Sequence, residues 1–270
     1  MRDELGRDVR IKNFPARRVI SLAANTTEVL YAIGAADTLV GVDLYSDFPP
    51  AARALAQVGS EQDPSLEKII ALRPDVVVTA TTANRPETAD ALERLGIPVF
   101  VTRVDSLADV DRVARDLGTL VGRQAQAEAF VRDLHGRFDD VRRRAAGRPR
   151  VPTLVVVWSE PLFVVGKKTF TSELVALAGG ASVSDDAGEG FPKYSLERVI
   201  RHAPQVIIVG SHKKEGKGPD PIGYWQRWPD LPAVRDGRVH AVDGDLMFRP
   251  GPRLAEGATR LYEVIHEGAR

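Results

Sequence analysis

The sequence predicts an α/β protein of two similar lobes, each a parallel-type sheet flanked by helices, joined by one long connecting helix. Three observations predict this: short apolar runs alternate with amphipathic stretches, a fourteen-residue segment recurs, and one unbroken helical stretch lies near the middle of the 270 residues. Alternating strands and helices are the grammar of parallel βαβ units. The length suits about two domains.

Val19–Leu22 is a short apolar run ending in the polar loop Ala24–Asn25, and Thr26-Thr27-Glu28 then opens a helix through Val29, Leu30 and Ile33, closed by Gly34. Leu39–Val42 is a second strand, followed by the aromatic loop Leu44-Tyr45-Ser46-Asp47-Phe48-Pro49-Pro50. Ser65–Leu72 is a helix with Asp63-Pro64 at its start, Asp75–Thr79 a buried-type strand, Glu87–Leu95 a helix ended by Gly96, and Ile97–Thr102 a strand. Ser106–Val121 is helical up to the break at Gly122-Arg123.

Gln124–Ala146 contains no proline, and Ala127, Phe130, Val131, Leu134, Phe138 and Val141 recur at spacings of three and four. At 1.5 Å per residue this helix spans roughly 35 Å. Its cations, Arg142 to Arg144, suit a helix C-terminus better than a nucleic-acid patch. After Pro152 the same order begins again: strand Thr153–Trp158, loop Ser159–Lys168, helix Thr171–Ala178, helix Ser195–His202 and strand Gln205–Val209. A polar Gly/Pro/Lys loop over Ser211–Tyr224, a strand at Arg238–Val242 and a helix at Leu254–Glu267 complete it. The expected division is a first lobe over 1–122, the connecting helix over 123–147 and a second lobe over 148–270.

The repeat is direct. Ser65-Leu66-Glu67-Lys68-Ile69-Ile70-Ala71-Leu72-Arg73-Pro74-Asp75-Val76-Val77-Val78 lies 130 positions before Ser195-Leu196-Glu197-Arg198-Val199-Ile200-Arg201-His202-Ala203-Pro204-Gln205-Val206-Ile207-Ile208. Six of the fourteen positions are identical without a gap, where unrelated segments share about one. Thr26-Thr27-Glu28-Val29-Leu30 pairs in the same way with Thr171-Ser172-Glu173-Leu174-Val175. A duplicated lobe accounts for both.

Several functions are excluded. Lys+Arg and Asp+Glu both number 37, which argues against nucleic-acid binding by bulk charge. Hydrophobic residues at 43% are too many for a disordered chain. The chain has no cysteine, so disulfides, thiolate metal sites and cysteine nucleophiles are ruled out. The five histidines are scattered without ligand spacing, and Gly166-Lys167-Lys168-Thr169 has Pro161 where a phosphate loop needs glycine. No catalytic residue, catalytic cofactor or metal site is expected. The charged start MRDELGRDVR lacks the apolar core of a signal peptide, which leaves open a cytosolic protein or a mature exported one.

The remaining chemistry is aromatic. Tyr45, Phe48, Phe163, Phe191, Tyr224, Trp225 and Phe248 all fall in loops, and loops after parallel strands gather at one sheet edge, where ligands bind. The expectation is a cleft between the lobes for a large, flat, partly apolar ligand.

The motifs Val19-Ile20-Ser21-Leu22-Ala23-Ala24-Asn25-Thr26-Thr27-Glu28, Tyr45-Ser46-Asp47-Phe48-Pro49-Pro50 and Ser65-Leu66-Glu67-Lys68-Ile69 resemble those of substrate-binding proteins of ABC importers of the helical-backbone type. That class serves cobalamin, ferric siderophores and haem, and the Tyr-Ser-Asp-aromatic-Pro-Pro stretch is most similar to its cobalamin branch. The resemblance runs from about Asp3 to Ile265 and implies a periplasmic-binding-protein-like fold.

The resemblance implies a non-enzymatic monomer, periplasmic or lipid-anchored on the outer face of the cytoplasmic membrane. Its partners would be a small-molecule ligand and an ABC permease with its ATPase. Cobalamin ranks first as ligand, then haem, then a ferric siderophore. Tyr45, Phe163, Phe191, Phe248 and Arg249 fall on ligand-contact positions, and Glu67 and Glu197 on the two glutamates that meet permease arginines. Glu61 and Ala80 depart from the branch, which has tryptophans there; Trp158 and Phe248 are the rings available to compensate. The rival class is an intracellular α/β enzyme or sensor handling a corrinoid or nucleotide.

Overall fold

The computed structural model describes residues 1–211 and 220–266. Contacts divide the chain into two units, Met1–Val104 with Ala108–Asp133, and Asp105–Leu107 with Leu134–Arg270.

The first unit holds β1 (Val19–Ser21), α1 (Ala24–Ala32), β2 (Leu39–Val42), α2 (Leu66–Ala71), β3 (Val76–Ala80), α3 (Pro86–Arg94), β4 (Val99–Thr102) and α4 (Leu107–Val121), with short 3-10 turns at Ala36–Thr38 and Pro50–Ala54. Its sheet order is β2-β1-β3-β4, and every pairing is parallel. All five residues of β3 are buried, as apolar runs covered on both faces require. Ile20, Leu22, Val58, Ile69, Val77, Leu92, Val99 and Val101 form the core beneath it.

α5 (Gln124–Ala145) is the 22-residue helix the periodicity predicts. Ala127, Val131, Leu134, Phe138 and Val141 are buried along one stripe, and Phe130 is half-buried. Its basic end is neutralised locally: Arg142 pairs with Asp139, Arg143 with Asp140, and the Arg144 guanidinium lies 4.2 Å from the Tyr262 ring centre. These arginines serve the helix end.

The second unit holds β5 (Val151–Ser159), β6 (Leu162–Val164), α6 (Phe170–Leu177), β7 (Gly180–Ser182), α7 (Leu196–His202), β8 (Val206–Ser211), α8 (Pro232–Arg235), β9 (Val239–Asp243), α9 (Gly244–Phe248) and α10 (Leu254–His266). β7, β5, β8 and β9 are parallel neighbours in that order, so the topology of the first sheet recurs. The register recurs as well. Val19 faces Val76 in one unit and Thr153 faces Val206 in the other, and the N–H of Val77 donates to Pro98 O as that of Ile207 does to Arg238 O.

The recurring segment has one conformation twice. Ser65 and Ser195 each cap their helix by accepting from the amide three residues on. Arg73 and Ala203, 130 positions apart, both take a left-handed backbone, with φ of 43° and 45°. Each stands before a proline, which disfavours a continued right-handed helix, so the chain turns sharply into the next strand.

Three expectations need correction. Ala24–Asn25 is not a loop: the helix begins there, capped by the extended Ala23. Asn25, Thr26, Thr27 and Glu28 are buried, and the threonine hydroxyls bond back to Ala23 O, so polarity here marks internal pairing and not solvent. Ser159–Lys168 is not all loop, because β6 pairs antiparallel with β5, and the second sheet is therefore mixed. Phe248 ends the short helix α9 and is not a loop residue. Residues 212–219 of the expected loop Ser211–Tyr224, and Glu267 of the last expected helix, lie outside the described residues.

Backbone and core each yield a stability prediction. A left-handed alanine costs about 1–2 kcal/mol, and glycine removes that cost while adding about 0.4–1 kcal/mol of unfolded-state freedom. Ala203→Gly is therefore expected to be neutral or stabilising in urea unfolding, whereas Ala176→Gly on the exposed side of α6 loses about 1 kcal/mol; equal losses would contradict the left-handed turn. His240 on β9 is buried, and its Nε2 has no partner among the described residues. Burial, helped by the Arg238 and Arg260 charges, holds its pKa below the ordinary value. The native state thus binds fewer protons than the unfolded chain, and stability falls as pH drops below about 6.5. His240→Leu should lose less thermal stability than the parent between about pH 7.5 and 5.5.

Candidate functional site

In the first unit, parallel pairing brings the ends of β1, β2, β3 and β4 to one edge. Tyr45 leaves this edge just after β2 and is exposed, as is Phe48. The loop carrying them is held from below by Asp43, which is fully buried. Its Oδ2 accepts from the Tyr45 amide at 2.8 Å and its Oδ1 accepts from Ser46 Oγ at 2.5 Å. Ser46 Oγ meets Thr27 Oγ1 at 2.7 Å, and Thr27 Oγ1 donates to Ser21 Oγ at 2.8 Å, which meets Thr26 Oγ1 at 2.6 Å. A chain of hydroxyls therefore ties the aromatic loop to the β1–α1 turn. This is why the motif Ser21…Thr26-Thr27 occurs beside Tyr45-Ser46-Asp47 in one protein.

Sequence reading missed Asn84. Its Nδ2 donates to Leu22 O at 2.9 Å and Glu61 O at 2.8 Å, and its Oδ1 accepts from the Ala80 amide at 2.8 Å. One side chain thus fastens three segments of the carboxyl edge. Those segments include Glu61 and Ala80.

In the second unit, Trp158 lies near the end of β5, half exposed, with its Nε1 donating to Glu160 O at 2.8 Å. Phe163 on β6 pairs with Trp158 in the ladder and bridges to Lys193, whose Nζ lies 5.9 Å from the Phe163 ring centre. Phe191 is exposed and meets Phe248 edge to face, with ring centres 6.2 Å apart at 81°. Arg249 Nη2 is 3.1 Å from Asp245 Oδ1, and Arg253 reaches the other oxygen of that carboxylate at 3.5 Å. The structure thus brings Phe191, Phe248 and the α9 end together, and Phe163 with Trp158 and Lys193.

Glycines permit these placements. A Cβ on Gly166 would lie 2.3 Å from Gly188 O, and the backbones of Gly166 and Lys167 bond to Gly190 and Gly188 at 2.8 Å. Gly166-Lys167-Lys168 is a strap for the segment that ends in Phe191, closed by the Lys168–Glu189 pair.

Glu67 and Glu197 are exposed in the first turns of α2 and α7. Beside α7, Asp186 gathers Tyr194 Oη at 2.8 Å, Arg198 Nη2 at 2.8 Å and His202 Nε2 at 3.1 Å. Burial pushes the Asp186 carboxyl up, but these hydrogen bonds and charges outweigh it and hold its pKa low. Burial and the Asp186 carboxylate raise the Tyr194 phenol well above its ordinary value. His202 is a structural hydrogen-bond partner of Asp186. No helix among the described residues is long and apolar enough to cross a membrane.

Rings and hydrogen-bonding groups fixed at the carboxyl edges of duplicated α/β lobes are the equipment of a small-molecule binding protein. The profile of the periplasmic binding protein family matches residues 19–246, and the chain belongs to that family. The vitamin B12-binding protein of Vibrio cholerae is 31% identical over 259 residues, 94% of this chain and 91% of that protein. Its counterpart in Pectobacterium carotovorum is 32% identical over 255 residues, 92% and 88% of the two chains. Among solved structures, the periplasmic vitamin B12 binding protein BtuF of Vibrio cholerae superposes with a TM-score of 0.81 at 28% identity, covering 95% of this chain and 99% of that one. The periplasmic haem-binding protein RhuT of a Roseiflexus species, in apo form, gives 0.82 at 26%, covering 94% and 100%. The fold and family inferred from the motifs therefore hold.

A prediction concerns how Phe248 is seated. A Cβ on Gly210 would lie 2.2 Å from Phe248 Cε2. Gly210→Ala should cost about 1–3 kcal/mol by overpacking. Phe248→Leu in the same chain should recover part of that loss, read as a coupling in a double-mutant unfolding cycle. Strictly additive losses would mean that the two residues do not touch.

Proposed function

We propose that this chain is the extracytoplasmic substrate-binding protein of an ABC importer, taking up a metal-chelate macrocycle and passing it to a permease with its ATPase. Cobalamin is the ligand favoured first. The observation that carries this reading is the 31% identity to a vitamin B12-binding protein along 94% of the chain. The protein works as a monomer, in the periplasm or lipid-anchored on the outer face of the membrane, and performs no covalent step.

On this reading Tyr45 offers a stacking face from the first lobe, and Trp158, Phe163, Phe191 and Phe248 offer theirs from the second. Stacking suits the flat, delocalised faces of such a ring. Arg249 meets a phosphate, carboxylate or amide oxygen at the ligand's edge, and its Asp245 partner keeps the guanidinium oriented until then. Glu67 and Glu197 meet arginines of the permease. Pairs of this kind set orientation and on-rate more than affinity, and weaken with salt.

Haem is the second reading. It is favoured by the likeness to a haem-binding protein of 26% identity and by the exposed phenol of Tyr45, which is able to ligate iron as phenolate.

Absorbance titrations against cyanocobalamin, haemin and a ferric siderophore separate these readings. Saturable binding of cyanocobalamin alone is expected; binding of haemin alone would move the assignment to haem, and binding of none would overturn both. Tyr45→Ala and Phe191→Ala should each weaken binding of the true ligand by about 1–3 kcal/mol, the first without lowering the melting temperature and the second with a small loss from its contact with Phe248. Arg249→Ala should weaken it more than Arg253→Ala, and the reverse order would remove Arg249 from the contact set.

A further inference from the structure

β6 has a second neighbour besides β5. The N–H of Tyr194 donates to Leu162 O at 3.0 Å, that of Val164 to Pro192 O at 3.1 Å and that of Gly166 to Gly190 O at 2.8 Å, and Phe163 bridges antiparallel to Lys193. Residues 190–194 therefore run beside β6 as an antiparallel ribbon. Side chains alternate between the two faces of such a ribbon. Leu162, Val164 and Tyr194 take one face and are buried in the core of the second unit. That assigns Phe163, Val165, Phe191 and Lys193 to the other. On it Phe191 and Lys193 are exposed and Phe163 is half-buried. Lys193 stands directly opposite Phe163, which pairs on its other side with Trp158 of β5. A lysine is thus set among three candidate stacking rings.

An exposed lysine by itself says nothing about binding. Two observations separate this one. Its Nζ lies 5.9 Å from the Phe163 ring centre, close enough for the ring face to hold the ammonium over the platform. Its charge is also unspent: among the described residues no carboxylate pairs with it, and Glu189, the acid of the same segment, is paired with Lys168. Arg249, by contrast, already has Asp245. Stacking alone chooses poorly between flat rings, since each offers a π-face. A fixed cation beside the rings chooses by what the ligand carries at its rim.

We propose that Lys193 selects for an anionic group on the ligand: its ammonium binds a phosphodiester or carboxylate oxygen at the edge of a macrocycle stacked on Phe163 and Phe191. This rests on the macrocycle reading above and adds the chemical group by which the ligand is chosen. The ammonium donates to the anionic oxygen, and such charge-assisted bonds are about twice as strong as neutral ones.

The test uses two pairs of macrocycles. Cyanocobalamin is set against dicyanocobinamide, which keeps the corrin ring and lacks the nucleotide loop with its phosphodiester. Haemin is set against its dimethyl ester, in which the carboxylates are capped. The parent, Lys193→Gln and Lys193→Arg are titrated by absorbance at about 0.05 and 0.5 M NaCl. In whichever pair the parent binds, Lys193→Gln should lose about tenfold for the anionic member at the lower salt and about twofold or less for the capped or truncated one. Lys193→Arg should keep the parent's preference, and that preference should shrink at the higher salt. Saturation within the first pair identifies the anion as a phosphodiester, and within the second as a carboxylate. Equal losses for both members would make Lys193 a packing neighbour of Phe163 and overturn the proposal while leaving the macrocycle reading in place. Parent-like binding of the anionic member by Lys193→Gln would do the same. Failure of the parent to bind either pair would overturn the macrocycle reading and the proposal with it.

Discussion

Parallel pairing of a central strand with the strand that follows the capped helix is the constraint on which each lobe rests. β1 with β3, and β5 with β8, hold the same register, and the remaining parallel strands add on either side in the same order. A parallel ladder cannot be closed by a hairpin, so each strand must be followed by a crossover. The crossovers put helices on the faces and the carboxyl ends of the parallel strands at one edge of each sheet. In each unit, exposed rings stand after strands or near their ends for that reason: Tyr45 in the first, Trp158 and the Phe191–Phe248 pair in the second.

The two lobes fix their rings by different means. In the first, the loop after β2 lacks a strand of its own and hangs on buried polar groups, Asp43 below it and the hydroxyls of Ser46 and Thr27 beside it. Buried polar groups of this kind are costly unless every one is paired, so the network specifies one loop position. In the second, Phe163 is part of the sheet and Phe248 lies against the flat face of a glycine in β8.

Much of this was legible in the sequence because it rests on periodicity. Val76-Val77-Val78 and the stripe from Ala127 to Val141 are long or pure enough to state their period. The repeat added a second reading of two segments, although the helix start was read from Asp63-Pro64 while the caps are Ser65 and Ser195. Three-residue β6 was illegible, since Leu162-Phe163-Val164 is too short to show alternation and is preceded by Pro161. The start of α1 was misread because Asn25-Thr26-Thr27 looks solvated, while its hydroxyls in fact pair inside the protein. Asn84 was illegible for another reason: its partners at 22, 61 and 80 meet only after folding. Residue type and loop context also put Trp225 among the candidate rings, but it is fully buried in the core of the second unit, and which rings touch one another was not legible.

The antiparallel strand β6 also records how the copies diverged. In the first lobe two residues, Leu22 and Ala23, join β1 to α1, whereas in the second Glu160 to Thr169 join β5 to α6 and contain β6. The offset between equivalent residues rises from 134 (Val19 to Thr153) to 145 (Thr26 to Thr171) across this connection, so the hairpin is extra length that the first lobe lacks. Extra length stitched to the sheet becomes part of the frame: altering Phe163 there perturbs the ladder of β5 along with any ligand contact. The loop of Tyr45 has no such entanglement, because its anchors are side chains beneath it and its own rings point outward. Substitution of Tyr45 is therefore expected to leave the sheet of its lobe intact, whereas substitution of Phe163 disturbs the β5–β6 ladder.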